Sequence, residues 1–225
     1  MKTYTKLIIA WLAISLAGTG FAEIVADLLD DYQSGGPAPG WRYLWNQPEN
    51  WNTPQYSEQD WSSNPLGRAD GYAALLPQGG AYTPAGAPAN TNPEPGKWLC
   101  VRGGGARGDQ PGYGAEQPST SVDRYVIYAY TIQADDGDGN YKISASSLSS
   151  ANPKIGRGDT CELRIFVNDT EIGKPAVFAG AFTGESFDCD LGALQKGDTV
   201  YVAVGPHGSS ARDAWQIDFS IECSR

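Results

Sequence analysis

Cys161-Glu-Leu-Arg-Ile-Phe-Val-Asn168 alternates without a break: Cys161, Leu163, Ile165 and Val167 fall on one side, Glu162, Arg164 and Asn168 on the other. Successive side chains of a β-strand point to opposite faces, so this period of two predicts a strand with one buried and one wet face. The pattern recurs on both sides of the stretch. Gly197–Gly205 alternates again, and the last strand places Trp215, Ile217, Phe219 and Ile221 opposite Gln216, Asp218, Ser220 and Glu222. Upstream, Tyr125–Gln133 runs into the turn Asp135-Asp-Gly-Asp-Gly-Asn140 and then into Tyr141–Ala145. Several short strands divided by Gly/Asp/Asn turns predict an all-β fold, an antiparallel β-sandwich of which 121–225 builds most. Ile165, Val167, Val202, Val204, Ile217 and Phe219 are the expected inward residues.

Towards the N-terminus the signal thins. Trp41-Arg-Tyr-Leu-Trp45 reads as a strand with its three aromatics on one side. Glu23–Gln33 fits either a short helix or an edge strand, and Glu185–Leu191 is strand-like. Residues 46–96 form a long Gly/Pro-rich loop region in which only Gly71–Leu76 reads as a strand, with Lys97–Val101 following it. Long loops inside a compact domain are usually functional or disordered. These carry aromatics, which disordered linkers lack, so ordered loops lying on the sandwich are expected.

The 225 residues suit one domain. Lys2 and Lys6 precede the apolar run Leu7–Ala17, and Gly20-Phe-Ala22 offers small residues at the positions a signal peptidase reads. The run is short for a membrane span, so residues 1–22 read as a secretory signal and 23–225 as the mature domain, secreted or periplasmic, without a membrane span; an uncleaved anchor is the alternative reading. The chain carries a formal net charge of −10, and loss of Lys2 and Lys6 would make it more acidic. Without a basic field, nucleic acid and strongly anionic polymers are poor partners. Four cysteines in an exported chain predict two disulfides. If the strands of Cys161 and Cys189 are antiparallel neighbours, those two pair, leaving Cys100 with Cys223. No CxxC half-site for a metal occurs.

Ala26–Ser34 followed by Gly40–Trp45, then Gln110–Gly112, Val122–Tyr125, the Thr131–Tyr141 hairpin, Leu163–Asn168, Gly197–Pro206 and Asp213–Ile221 follow a recurring order. In that order the chain resembles the galactose-binding-like jelly rolls of exported bacterial proteins, which include many carbohydrate-binding modules. The turn after the first aromatic strand is much longer here. The resemblance implies a jelly-roll sandwich in an extracellular setting and, by analogy of fold, sugar binding. It also implies a structural calcium between an early acidic segment, Asp27, Asp30 or Asp31, and Asp213 or Asp218.

The residues themselves offer few sites. Trp51, Tyr56 and Trp61 sit among Asn, Gln, Glu and Pro with no strand parity to turn them inward. Apolar surfaces beside a few placed polar groups suit a glycan, so Trp51, Trp61 and Tyr56 with Asn52, Glu58 and Asp60 are the candidate ligand-binding residues; a loop packed on the sheet is the competing reading. For Trp41, Tyr43 and Trp45 the choice lies between core and stacking platform. Asp135–Asn140 alternates oxygen ligands, but a calcium loop would need Gly at Tyr141 and Glu at Ser147, so it reads as a hairpin turn. No Gly-x-Ser-x-Gly occurs, and His207 is the only histidine. A lyase built on His207, a tyrosine and Arg212, or a hydrolase, is the enzymatic alternative to a non-catalytic carbohydrate-binding or surface-interaction module; a purely structural extracellular domain is the third reading.

Overall fold

The computed structural model describes residues 22–33, 35–45, 73–78, 81–84, 101–102, 112–113, 125–150, 160–179, 183–206 and 214–225. In chain order the strands are β1 (Ala22–Asp27), β2 (Trp41–Trp45), β3 (Ala73–Gln78), β4 (Ala81–Pro84), β5 (Val101–Arg102), β6 (Gly112–Tyr113), β7 (Val126–Thr131) and β8 (Gly139–Ser150). Then come β9 (Thr160–Val167), β10 (Thr170–Glu171), β11 (Ala176–Ala179), β12 (Cys189–Leu194), β13 (Thr199–Pro206) and β14 (Ala214–Ser224). They form two antiparallel sheets. One is five-stranded, ordered β1-β14-β8-β12 with β6 also on β14; the other is nine-stranded, ordered β10-β9-β13-β7-β2-β3-β4-β5 with β11 also on β9.

From β8 onward the long strands alternate between the sheets: β8, β12 and β14 in the five-stranded one, β9 and β13 in the nine-stranded one. That path gives the sandwich its jelly-roll character. Glu23–Gln33 resolves into β1 followed by a turn, in which Asp31 N donates to the Asp27 carbonyl. The Asp135–Asn140 turn is not the expected hairpin turn: it carries the chain from β7 in the nine-stranded sheet to β8 in the five-stranded one, with Gly137 at φ 73°. Buried Asp136 ties it down by accepting from Tyr130 Oη (2.9 Å) and Gln133 N (2.6 Å).

Between the sheets lies the main core, to which the inward faces of β2, β7, β8, β9, β13 and β14 all contribute. Ile165, Val202, Val204, Ile217 and Phe219 are buried in it and Val167 packs against it, as the alternation requires. Trp41, Tyr43 and Trp45 belong to the same core; Trp41 stacks on Tyr43 at 6.4 Å and meets Phe219 edge-on at 5.8 Å. These three are therefore wall, and a stacking-platform role for them is excluded.

Two expectations are corrected. Cys161 and Cys189 do not face each other: β9 pairs with β10, β11 and β13, whereas β12 pairs with β8 in the opposite sheet. No two of Cys161, Cys189 and Cys223 are joined, and Cys100 lies outside the described residues. Nor are all strands wet on one side. In the nine-stranded sheet the outward residues Ile127, Ala129, Phe166 and Ala203 are as buried as the inward ones, and Arg164 is 7% exposed. Alternation in sequence reports polarity, and the outward positions of β7 and β13 carry Ile, Ala and Tyr, which a period of two does not distinguish from solvent-facing positions.

Candidate functional site

The outer face of the five-stranded sheet is polar, and register places its side chains in rows. Lys142 of β8 lies between Glu222 of β14 and Asp190 of β12. In the next row, Ser144 lies beside Ser220, which in turn lies beside Asp27 of β1. The alternate residues Tyr141, Ile143, Ile221 and Cys223 fill the core. Two irregularities shape this face. Ala145 adopts φ 49° where β8 slips register against β14, and Gly192 adopts φ 82° at a slip between β12 and β8. Such bulges bend a strand and re-aim its side chains. Between β8 and β12 they leave a concavity of about 260 Å³ lined by Lys142, Ile143, Ser144, Asp188, Cys189 and Asp190.

The polar groups of this groove are held in place. Lys142 Nζ is 2.9 Å from Glu222 Oε2, and Ser144 Oγ donates to Glu222 Oε1. Asp188 Oδ1 accepts from Ser146 N (2.9 Å) and Ser146 Oγ (2.5 Å), and Ser146 Oγ accepts from Phe187 N (2.7 Å). These contacts set the charges. The Ser146 hydroxyl, with the Ser146 N–H, Ser186 and Lys142, holds the Asp188 carboxyl below the ordinary carboxylate range against the opposing effect of burial. Glu222 is lowered likewise, by Ser144 first and Lys142 second, and Glu222 raises Lys142. Burial, aided by Asp190, pushes the Cys189 thiol up to about 11. At neutral pH the groove thus presents fixed carboxylates, a hydroxyl and an ammonium. It holds neither a thiolate nor, at Asp188 or Glu222, a protonated carboxyl.

The early acidic segment meets β14 as the family resemblance implied, but its carboxylates already have other partners. Asp27 Oδ1 accepts from Asp30 N (3.0 Å) and Oδ2 from Ser220 Oγ (2.8 Å). Asp31 Oδ2 accepts from Asp27 N and from Trp41 Nε1, both at 2.9 Å. Asp218 Oδ1 is buried without a partner; burial, then Asp27 and Asp30, raise its pKa against backbone N–H donors at Phe219 and Leu29. Among the described residues no three His, Cys, Asp or Glu side chains gather as a metal site. Asp27 and Asp31 cap the turn after β1 and Asp31 anchors Trp41; Asp213, part of the expected calcium set, lies outside the described residues.

The expected ligand-binding residues Trp51, Tyr56, Trp61, Asn52, Glu58 and Asp60 lie outside the described residues, as do Asp213, His207 and Arg212. The groove residues Lys142, Ser144, Asp188 and Asp190 went unseen in the sequence. Alternation puts the first two on one face of their strand, but the pairing of β8 with β12 is not a property of either segment alone.

No known family and no curated protein matches the chain. Among solved structures it is similar to an isomalto-dextranase of Arthrobacter globiformis T6 complexed with panose, at 17% identity and a TM-score of 0.26. The match covers 90% of this chain and 32% of that one, so the chain spans about a third of that enzyme's length. A likeness this loose assigns neither family nor function.

Proposed function

We propose that the chain is an exported, non-catalytic carbohydrate-binding module and that the groove between β8 and β12 is its glycan site. The observation that carries this reading is preorganisation. Lys142, Ser144 and Asp188 are fixed by hydrogen bonds within the sheet, so a ligand meets placed donors and acceptors without ordering them first. Sugar hydroxyls both donate and accept, which suits carboxylates alternating with an ammonium and a hydroxyl. The lone Lys142 stands among Asp188, Asp190 and Glu222 on an acidic chain, so neutral glycans are favoured over uronates or sulfated polymers. Glycoside hydrolysis needs one carboxyl kept protonated as the acid, and in the groove Asp188 and Glu222 are both shifted the other way.

A panel of neutral and acidic glycans, probed with the purified chain, tests the reading. Lys142→Ala and Asp190→Ala should each lower affinity for a neutral glycan about tenfold, about 1.4 kcal/mol, with the melting temperature unchanged. Unchanged binding in both variants, or binding confined to acidic glycans, overturns it. Loss of binding in Trp51→Ala or Trp61→Ala alone would move the site to residues 46–61. Release of reducing or unsaturated ends would make the chain an enzyme.

A further inference from the structure

Strand β8 carries one residue more than either of its neighbours. Between Ile143, opposite Cys189, and Leu148, opposite Glu185, it holds four residues where the facing segment holds three. Between Ser144, opposite Ser220, and Ser147, opposite Asp218, it holds two where β14 holds only Phe219. On both sides the surplus falls at Ala145-Ser146, and Ala145 takes it up at φ 49° with its methyl exposed. A residue with a Cβ is rarely left-handed, and here no burial of the side chain compensates.

The effect appears one residue further on. Ser146 drops out of the ladder with β14; its N–H and hydroxyl both donate to Asp188 Oδ1, while Ser146 Oγ accepts from Phe187 N at 2.7 Å. On the core side, the Phe187 ring is buried edge-on to Phe219, the residue opposite the bulge, at 5.8 Å. The segment leading into β12 is thus held from the core by Phe187 and along its backbone by Ser146. Asp188 itself is exposed and lines the groove. Both bonds from Ser146 fall on Oδ1, and a carboxylate oxygen can accept more than one, so Oδ2 keeps capacity for a molecule in the groove.

We propose that Ala145 is the positioning residue of this groove: its left-handed backbone accommodates the extra residue that fixes Asp188 by Oδ1 and so presents Oδ2 to a ligand hydroxyl. The proposal rests on the groove being the glycan site, and adds which carboxylate accepts and which residue sets it. A β8 without the surplus would return Ser146 to the ladder and its N–H to a backbone carbonyl. Because the Ala145 methyl is exposed, substitution there acts through the backbone rather than through packing. Gly and Asn tolerate the left-handed region; β-branched Val does not.

Carboxyl-detected NMR titration of the ligand-free chain reads the clamp, and calorimetry with gluco-, manno-, xylo- and galacto-trisaccharides reads its effect. In the wild type, Asp188 should titrate below the ordinary carboxylate range and the Ser146 amide proton should shift with the same midpoint. Ala145→Gly and Ala145→Asn should keep both and bind as the wild type does. Ala145→Val should move Asp188 back towards the ordinary range, uncouple the Ser146 amide and weaken binding about tenfold. Asp188 titrating at its ordinary value in the wild type, or a Ser146 amide that does not follow it, overturns the proposal. A folded Ala145→Val with both titrations unchanged does the same. If Ala145→Val does not fold, the wild type and Ala145→Asn decide, and an uncoupled amide in Ala145→Asn counts against the proposal. Equal binding by wild type and Ala145→Val overturns it and leaves the glycan reading standing. Titrations as expected with no trisaccharide bound uphold the positioning of Asp188, and the glycan reading alone falls.

Discussion

At the scale of single residues, carboxylates shifted in opposite directions govern the acid behaviour of the five-stranded sheet. Asp218 is held above its ordinary pKa, chiefly by burial. The fold favours its protonated form, so its contribution is best below the ordinary carboxylate range and is lost as pH rises through the raised value. At neutral pH its ionised, partnerless Oδ1 is a liability. Asp218→Asn keeps an oxygen for the backbone donors and should raise stability at pH 7 by about 1 kcal/mol. The advantage should vanish below the ordinary carboxylate range; urea titrations at neutral and acid pH measure both. Asp188 and Glu222 behave in the opposite sense: both are depressed, so their contribution is present above the ordinary range and is lost as pH falls through their lowered values. A variant that is no more stable than the wild type at pH 7 would mean that Asp218 Oδ1 finds a partner in solution.

At the scale of elements, the two sheets predict different responses to substitution. Ile217 is buried between them, and Ile217→Ala should cost about 2–5 kcal/mol by cavity formation. Arg164 would be an ordinary surface residue if β9 were wet on its outer side. Because it is buried against the half-buried Glu171 and Glu162, Arg164→Ala should instead cost about 3 kcal/mol, by leaving carboxylates at the edge of the core without their partner. A loss below about half a kcal/mol, the surface range, would show the pair to be solvated. The contrast also marks how far the sequence could be read. β9, β13 and β14 were legible because long runs alternated cleanly, and Trp41–Trp45 because aromatics at period two fit a half-buried strand. β4, β6, β10 and β11 are too short to show a period, and β12 starts later than the strand-like Glu185–Leu191. The groove was not legible, because Lys142 and Asp190 become neighbours only through strand pairing across an intervening crossover, which local pattern does not encode.

At the scale of the whole molecule, the first and last strands are hydrogen-bonded neighbours: Ala22 pairs with Ser224, and Arg225 reaches Glu23 at 3.6 Å. That ion pair is exposed and contributes little; the geometry matters more. The two ends of the described fold emerge side by side at one corner, so the order of the chain can be rotated without moving a strand. A circular permutant joining Arg225 to Glu23 through a short glycine linker and opening at Gly173-Lys174, in the exposed turn between β10 and β11, should fold with the wild-type β-sheet signature by circular dichroism and keep any glycan binding by the groove. Anything fused at either end would project from this same corner. Two such cargoes would then be held about one strand spacing apart at their roots, a fixed short tether for pairing two domains on one small scaffold.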